Sequence, residues 1–145
     1  MALQFALLAA IAGVGLLTRG AWPDGVSTAA AVVGVALLAA GVVVAVLALT
    51  GLGSALTAVP APLAGERLRT GGIYRVVRHP IYGSLILMSA GYAFLTSPWA
   101  LLLTAVLAVE LDLKRRVEEE FLSAAYPGYA DYRRAVPRAL VPGVW

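Results

Sequence analysis

Residues 26–52, VSTAAAVVGVALLAAGVVVAVLALTGL, decide the fold because this stretch contains no charged side chain. A helix of this length can cross the hydrocarbon core of a bilayer with some tilt. Three further apolar segments accompany it, at residues 2–17, at 81–95 and from 98 to about 113. These are short against the roughly 20 residues of a spanning helix, so flanking residues or a thinner bilayer would have to complete them. The pattern predicts an all-α, polytopic membrane protein with about four transmembrane helices.

The composition of the whole chain supports this class. Its 145 residues suit a single domain, 61% of them are hydrophobic and 13% are charged. The mean hydropathy of +0.86 lies outside the range of soluble domains, so the chain is interpreted as an integral membrane protein. The absence of cysteine excludes disulfides and thiolate nucleophiles. With His79 as the single histidine and no suitably spaced carboxylates, we expect no metal site.

The positive charges predict the topology. Ten of the eleven Lys and Arg residues fall in residues 67–78 and 114–138. The positive-inside rule then places both termini and the 53–80 connection in the cytoplasm, and the composition favours a prokaryotic inner membrane. No basic groove or stacking platform accompanies these charges, so no nucleic-acid partner is expected. The first segment lacks a positively charged start and is interpreted as a retained helix rather than a signal peptide.

The connections between the apolar segments are also informative. The link at residues 95–98 is so short that it predicts a tight antiparallel hairpin of the third and fourth helices. Beyond Leu113 the sequence KRRVEEEFL predicts a charged cytoplasmic extension of the fourth helix, which Pro127 and Gly128 would end. The aromatic tail after it is expected to fold back onto the membrane face. Small residues recur at helix-packing spacing, as in Ala30 with Gly34 and Ala9 with Gly13, but a composition bias explains them equally well.

Residues 72–82, GIYRVVRHPIY, set cationic and aromatic side chains directly before the third helix. Pro80 suits the first helical turn, where its missing N–H costs nothing. A helix N-terminus beside Arg75, Arg78 and His79 is a natural site for a carboxylate or phosphate. In the alternative interpretation the arginines are topology anchors and the tyrosines belong to the interfacial belt. The residues alone leave both interpretations open.

Acidic residues mark the fourth helix and its extension. Carboxylates near membrane depth, such as Glu110 and Asp112, are functional by default, although simple pairing along the helix also explains them. The candidate i,i+4 pairs are Glu110 with Lys114, Asp112 with Arg116, and Arg115 with Glu119. Residues 118–120 are three consecutive glutamates that repel one another, so at least one should point into a polar pocket. By the topology argument these acids share a membrane face with His79, and the two elements together would enclose a mixed-charge ligand.

Several ordered motifs resemble a known family. They are LRTGGIY at 68–74, RHPIY at 78–82, EEEFL at 118–122, YADY at 129–132 and VPR at 136–138. Together they are similar to the isoprenylcysteine carboxyl methyltransferase and phospholipid methyltransferase superfamily of integral membrane enzymes. The resemblance covers roughly residues 66–142, whereas residues 1–52 match only in being two hydrophobic helices.

The resemblance implies that S-adenosylmethionine binds on the cytoplasmic side, that S-adenosylhomocysteine is the product, and that a lipophilic acceptor enters from the bilayer. Carried over by position, the cofactor-binding residues are Leu68, Arg69, Tyr74, His79, Pro80, Ile81, Tyr82, Glu118 and Glu119. Arg78 and Glu118 would be catalytic. Lys114 stands where carboxyl-methylating relatives place a substrate-contacting arginine; lysine keeps the charge but lacks the bidentate fork.

The expected function is methyl transfer to a lipophilic acceptor, with a carboxylate favoured. A carboxylate needs no base, whereas a phospholipid ammonium must first lose a proton, and Glu110, Glu118 or Glu119 would then be the base. Methylation of a phospholipid amine, or of another small lipid or thiol, is therefore an alternative. A non-catalytic membrane protein that binds anionic lipid is another. Membrane lipids are expected partners in every case, and the oligomeric state stays open.

Overall fold

The structure, a computed structural model, describes residues 2–52 and 68–143, and within these ranges it contains helices and no strand. The five α-helices are α1 (Ala2–Leu17), α2 (Asp24–Leu52), α3 (Pro80–Thr96), α4 (Pro98–Ala125) and α5 (Tyr129–Ala135), and a 3-10 helix at Gly72–Arg75 precedes α3. The all-α class is thus confirmed, and α1 to α4 coincide with the four predicted apolar segments. Most of the 53–80 connection, including the first two positions of the predicted cofactor-binding region at 66 and 67, lies outside the described residues.

Helix α2 is the one described helix that is long and apolar enough to cross a membrane, over Asp24–Gly51. Helices α1 and α3, with 16 and 17 residues, are shorter than a typical span, and the second half of α4 is charged. Four membrane crossings therefore stay a prediction. Many valine and leucine side chains of α2 are exposed, for example Val32 and Val43, and such a surface suits lipid better than water.

Helices α2 and α3 pack so closely that their backbones meet at glycines. A Cβ on Gly91 of α3 would lie 2.6 Å from the Leu38 nitrogen and 2.8 Å from the Gly34 oxygen of α2. A Cβ on Gly41 would lie 2.9 Å from the nitrogen of Met88. Small residues allow this approach in helical membrane proteins. The α2–α3 pair therefore forms a rigid support for the N-terminus of α3, where the candidate site begins.

The α3–α4 hairpin has the predicted tight turn. Ser97 caps α4 by accepting a hydrogen bond from the Trp99 nitrogen at 3.2 Å, and Pro98 starts the helix. The C-terminal end of α1 is tied to this turn, since the Thr18 hydroxyl donates to the Ser97 hydroxyl at 2.6 Å. Helix α1 consequently runs antiparallel to α4, which brings Gln4 near the other end of the α4 apolar segment.

Helix α4 continues beyond Leu113 to Ala125, as predicted, and ends before Pro127. After α5 the chain returns as a strap, residues 136–140, to the start of α3. The backbone nitrogens of Arg78 and His79 donate to the carbonyls of residues 138 and 139 at 3.1 and 2.7 Å. A Cβ on Gly83 would lie 1.8 Å from the Leu140 oxygen, so only glycine admits the strap at this distance. The tail therefore folds back onto α3.

Candidate active site

The site forms where the start of α3, the charged part of α4, and the strap meet. At its centre is the buried pair of Arg78 and Glu119, with 7% and 4% of their surfaces exposed. The Arg78 Nε and Nη2 atoms both lie 2.9 Å from Glu119 Oε1. Arg78 Nη1 donates to the carbonyl oxygen of Val136. One guanidinium thus joins α3, α4 and the strap.

Glu119 collects further donors around this pair. His79 Nε2 lies 3.2 Å from Oε1, while Arg115 and Arg133 approach Oε2 at 3.6 and 3.7 Å. Burial raises the pKa of Glu119, but the hydrogen bonds from His79 and Arg78 and the charge of Arg78 outweigh it and hold the pKa at about 2. Glu119 is therefore ionised at neutral pH, so His79 Nε2 must donate to it.

Glu118 has a different environment from its neighbour. Its Oε2 accepts a hydrogen bond from the Tyr82 hydroxyl at 2.8 Å and lies 3.7 Å from His79 Nδ1. The rings of His79 and Tyr82 stack, with centroids 5.7 Å apart and planes 5° from parallel. Because 24% of the Glu118 side chain is exposed, against 5% for Glu119, its carboxylate is accessible to a ligand. Of the three glutamates, Glu119 is buried among polar side chains and Glu120 is exposed.

A third group of polar side chains joins α1 to the site. Lys114 Nζ lies 5.1 Å from the centroid of the Tyr82 ring and donates to Gln4 Oε1 at 2.7 Å. Glu110, Lys114 and Glu118 are spaced four residues apart and so share one face of α4. The Glu110 Oε2 atom is buried without a hydrogen-bond partner among the described residues. Sequence reasoning missed Gln4, although it is the one side chain in α1 with a hydrogen-bonding group.

The predicted pairs along α4 are present in part. Asp112 binds both Arg116, with Nε 2.8 Å from Oδ2, and Arg115, with Nη2 2.6 Å from Oδ1. Arg115 also reaches Glu119 as expected. Pairing therefore accounts for Asp112, whereas Lys114 donates to Gln4 and the Oε2 atom of Glu110 has no hydrogen-bond partner among the described residues.

The remaining candidate residues divide by exposure. Tyr74 is buried, its hydroxyl lies 3.4 Å from the Ala48 oxygen of α2, and its own carbonyl accepts the Tyr132 hydroxyl at 2.7 Å. Burial, and after it the charge of Glu118, raises the pKa of Tyr74 to about 12, so its hydroxyl stays protonated. Pro80 is fully buried. Leu68 and Ile81 are half-buried and Arg69 is exposed.

The described residues contain no group of three or more His, Asp or Glu side chains arranged to hold a metal ion. Comparison with known proteins shows that a family model, phospholipid methyltransferase, matches residues 29–128. The chain belongs to the phospholipid methyltransferase family. This family is part of the isoprenylcysteine carboxyl methyltransferase-like superfamily of integral membrane methyltransferases that the motifs resemble.

A relative of the chain is the cobalt-zinc-cadmium resistance protein CzcN of Cupriavidus metallidurans, which is 38% identical over 74 residues. The match takes in 48% of this chain and 33% of that protein, so it spans a third of the relative's length. No solved structure matches the chain.

The extent of the family match separates two parts of the site. The matched residues hold α3 and α4, and with them Arg78, Tyr82, Lys114 and both site glutamates. Gln4 and the strap lie outside the match, so these parts of the site rest on the structure of this chain alone. Together the family and the exposed apolar helix α2 support membrane association.

Proposed function

We propose that this family member is an S-adenosylmethionine-dependent membrane methyltransferase that acts on a lipophilic acceptor at the cytoplasmic face. The observation that carries the proposal is the accessible Glu118 carboxylate beside the stacked rings of His79 and Tyr82. Arg78 and Glu119 are the sequence neighbours of His79 and Glu118, and their buried ion pair holds these two residues in place. A polar site at the end of apolar helices lets a water-soluble cofactor meet a lipid-soluble acceptor.

The residues present fit a cofactor of mixed charge. A carboxylate such as Glu118 accepts hydrogen bonds from an ammonium group or a ribose hydroxyl. Arg69, an exposed residue, carries a guanidinium of the kind that binds a carboxylate, and aromatic rings such as Tyr82 attract cations. When bound, S-adenosylmethionine supplies an electrophilic methyl group on a sulfonium.

Exposure leads us to divide the candidate residues between contact and positioning roles. Side chains with accessible surface are assigned to cofactor contact, and these are Leu68, Arg69, Ile81, Tyr82 and Glu118. The buried side chains are assigned to positioning, and these are Tyr74, Arg78, His79, Pro80 and Glu119. Arg78 is placed in the second group, contrary to the catalytic role that the motif resemblance implies, because its donors already face Glu119 and the strap.

A carboxylate acceptor requires little chemistry from the protein. An O–CH3 bond forms as the S–CH3 bond breaks, the sulfonium becomes a neutral thioether, and no proton moves. The side chains need only align the acceptor and exclude water. Lys114, held over Tyr82 close to Glu118, is placed to bind such a carboxylate as a point charge.

The buried, unpartnered Glu110 Oε2 favours a second candidate, methylation of a phospholipid amine. An unpaired carboxylate oxygen at membrane depth costs free energy, and an ammonium group of the acceptor would satisfy it. As base, Glu110 would take the proton that the ammonium must lose before its nitrogen attacks the methyl group. Glu110→Gln should then lower methyl transfer to phosphatidylethanolamine roughly 100-fold while the cofactor affinity and any transfer to oleate are unchanged. Equal losses on both acceptors would exclude the amine reaction.

The test of the proposed function is calorimetric titration of S-adenosylmethionine and S-adenosylhomocysteine into the purified protein in detergent. We expect saturable binding that Glu118→Ala weakens by roughly 10-fold or more, since a hydrogen bond to a charged group contributes about 1.5–3 kcal/mol. Glu120→Ala is the matched control because it removes an adjacent, exposed carboxylate. No binding to folded wild-type protein, or equal affinities of the two variants, would contradict the proposal.

A further inference from the structure

We propose that Gln4 of α1 is an acceptor-binding residue. With Lys114 it forms a two-donor subsite for an anionic oxygen of the lipophilic acceptor, either a carboxylate or a phosphate. The subsite rests on the proposed function, since it binds the acceptor beside the cofactor. Neither the motifs nor the family match reaches Gln4.

The burial of Gln4 in an apolar helix is the first observation. Only 8% of the residue is exposed, and every other side chain of Ala2–Leu17 lacks a hydrogen-bonding group. A buried amide at membrane depth is costly unless it is hydrogen-bonded, and polar groups in such helices mark functional sites. Gln4 Oε1 meets this requirement by accepting from Lys114 Nζ at 2.7 Å. The amide is thereby oriented, with its oxygen toward the ammonium.

The orientation of the amide determines what else it can bind. Its nitrogen carries two N–H donors, and no hydrogen bond among the described residues uses them. These donors stand beside the positive charge of Lys114, which itself donates to Gln4. A cation and an adjacent pair of N–H donors is the donor set that a carboxylate or phosphate oxygen requires. A cationic or neutral headgroup would leave these donors unmatched.

Tyr82 relates this subsite to the cofactor side. Its hydroxyl donates to Glu118, while the ammonium of Lys114 lies over its ring. Tyr82 therefore contacts both the proposed acceptor subsite and the proposed cofactor site, and its ring is held in place by stacking on His79. An anionic oxygen bound by Gln4 and Lys114 would therefore lie next to Glu118, which we assign to cofactor contact. Such alignment of acceptor and methyl donor is what a displacement needs.

The experiment compares three amphiphiles that share an oleoyl chain: oleate, oleoyl lysophosphatidate and monooleoylglycerol. Each is titrated into the full chain in a non-ionic detergent. The wild type should bind at least one anion roughly 10-fold more tightly than the neutral glycerol ester. Gln4→Leu and Lys114→Met should each remove most of this preference and leave the affinity for monooleoylglycerol unchanged. Whether oleate or lysophosphatidate is preferred identifies the acceptor group as carboxylate or phosphate.

The variants separate the subsite from general electrostatic attraction. Gln4→Leu leaves the net charge unchanged, whereas the control Arg134→Leu removes an exposed positive charge from α5. Only the former should lose the preference. Gln4→Glu keeps an acceptor for Lys114 but loses the N–H donors, so it too should lose the anion preference. It replaces Gln4→Leu in the test if that variant does not fold. Leu3→Ala, at an exposed neighbour, controls for changes in α1.

Three results would overturn the subsite: a wild type without anion preference, a preference that survives in Gln4→Leu, or one that survives in Gln4→Glu. The last result would reduce Gln4 to a support for Lys114. S-adenosylmethionine is titrated into the same samples, and its affinity should be equal in wild type and Gln4→Leu. Failure of the cofactor to bind the wild type would contradict the proposed function, whereas the anion preference is judged by the amphiphiles alone.

Discussion

Glu118 and Glu119 are neighbours in sequence, yet they belong to two different regions of the molecule. Glu119 lies in a buried hub, where Arg78 and His79 bind it directly and two further arginines approach it. Glu118 lies in an accessible row with Tyr82 and Lys114, where its side chain keeps 24% of its surface exposed. Adjacent helical residues point about 100° apart, so one turn of α4 serves both regions. In the proposed function the hub positions the backbone and the row contacts the ligands.

The largest expected effect comes from breaking the hub. Glu119→Ala leaves Arg78 buried without its partner and should lower the free energy of unfolding by about 3–5 kcal/mol. Glu118→Ala should lower it by less than about 1 kcal/mol, because its pairing is partly exposed. Thermal or denaturant unfolding in detergent measures both. The double variant Arg78→Met with Glu119→Leu should recover much of the loss, since no charge then remains unpaired. Similar losses of unfolding free energy in Glu119→Ala and Glu118→Ala would refute the division into hub and row.

A smaller effect is expected from the contact that attaches the strap to the hub. Gly83→Ala would place a methyl group against the carbonyl of Leu140, so the strap must shift, at a cost of about 1–3 kcal/mol. Proteolysis after Arg138, on the strap, should then become faster. Gly13→Ala is the matched control, because nothing lies within 4 Å of a Cβ there. Unchanged proteolysis in Gly83→Ala would mean that the strap does not depend on this close approach.

Acid should weaken the hub. The pKa of Glu119 is lowered from 4.5 to about 2, so protonation favours the unfolded chain. The stability from this group is fully present above about pH 4.5 and is lost as the pH falls toward 2. The free energy of unfolding, measured against pH, should therefore drop more steeply in wild type than in Glu119→Gln over this range. Parallel curves would show that Glu119 does not carry the acid sensitivity.

The smallest effect on stability is expected in the row. Tyr82→Phe removes one partly exposed hydrogen bond to Glu118 and should change the free energy of unfolding by less than about 1 kcal/mol. It should nevertheless weaken S-adenosylmethionine binding several-fold, because Glu118 loses the donor that orients it. Calorimetry and thermal unfolding of the same samples measure the two quantities. A large loss of stability with unchanged affinity would move Tyr82 into the hub.

Local sequence patterns predicted α1 to α4 and the cluster of cationic and aromatic side chains before α3. Apolar runs gave α1 to α4 within a few residues, and Pro127 with Gly128 gave the end of α4. Contacts between distant segments could not be predicted in this way. Gln4 and Lys114 are 110 positions apart, and their bond depends on how α1 is rotated against α4.

The glycine contacts show the same limit of prediction from local sequence. Gly34 lies against the backbone of α3, whereas a Cβ on Gly13 would have no neighbour within 4 Å, although both have a small residue four positions earlier. Spacing alone cannot separate them, because only the partner helix decides which face is in contact. The pairing of the strap with Arg78 and His79 was equally beyond the sequence, since it uses backbone atoms common to all residues.

The most direct test of the account is S-adenosylmethionine affinity in Glu118→Gln, measured beside the melting temperature of the same sample. Glutamine keeps the size of the side chain and removes its charge. The account predicts that affinity falls roughly 10-fold or more while the melting temperature stays at the wild-type value. Wild-type affinity, or a loss of affinity that appears only together with a loss of stability, would contradict it.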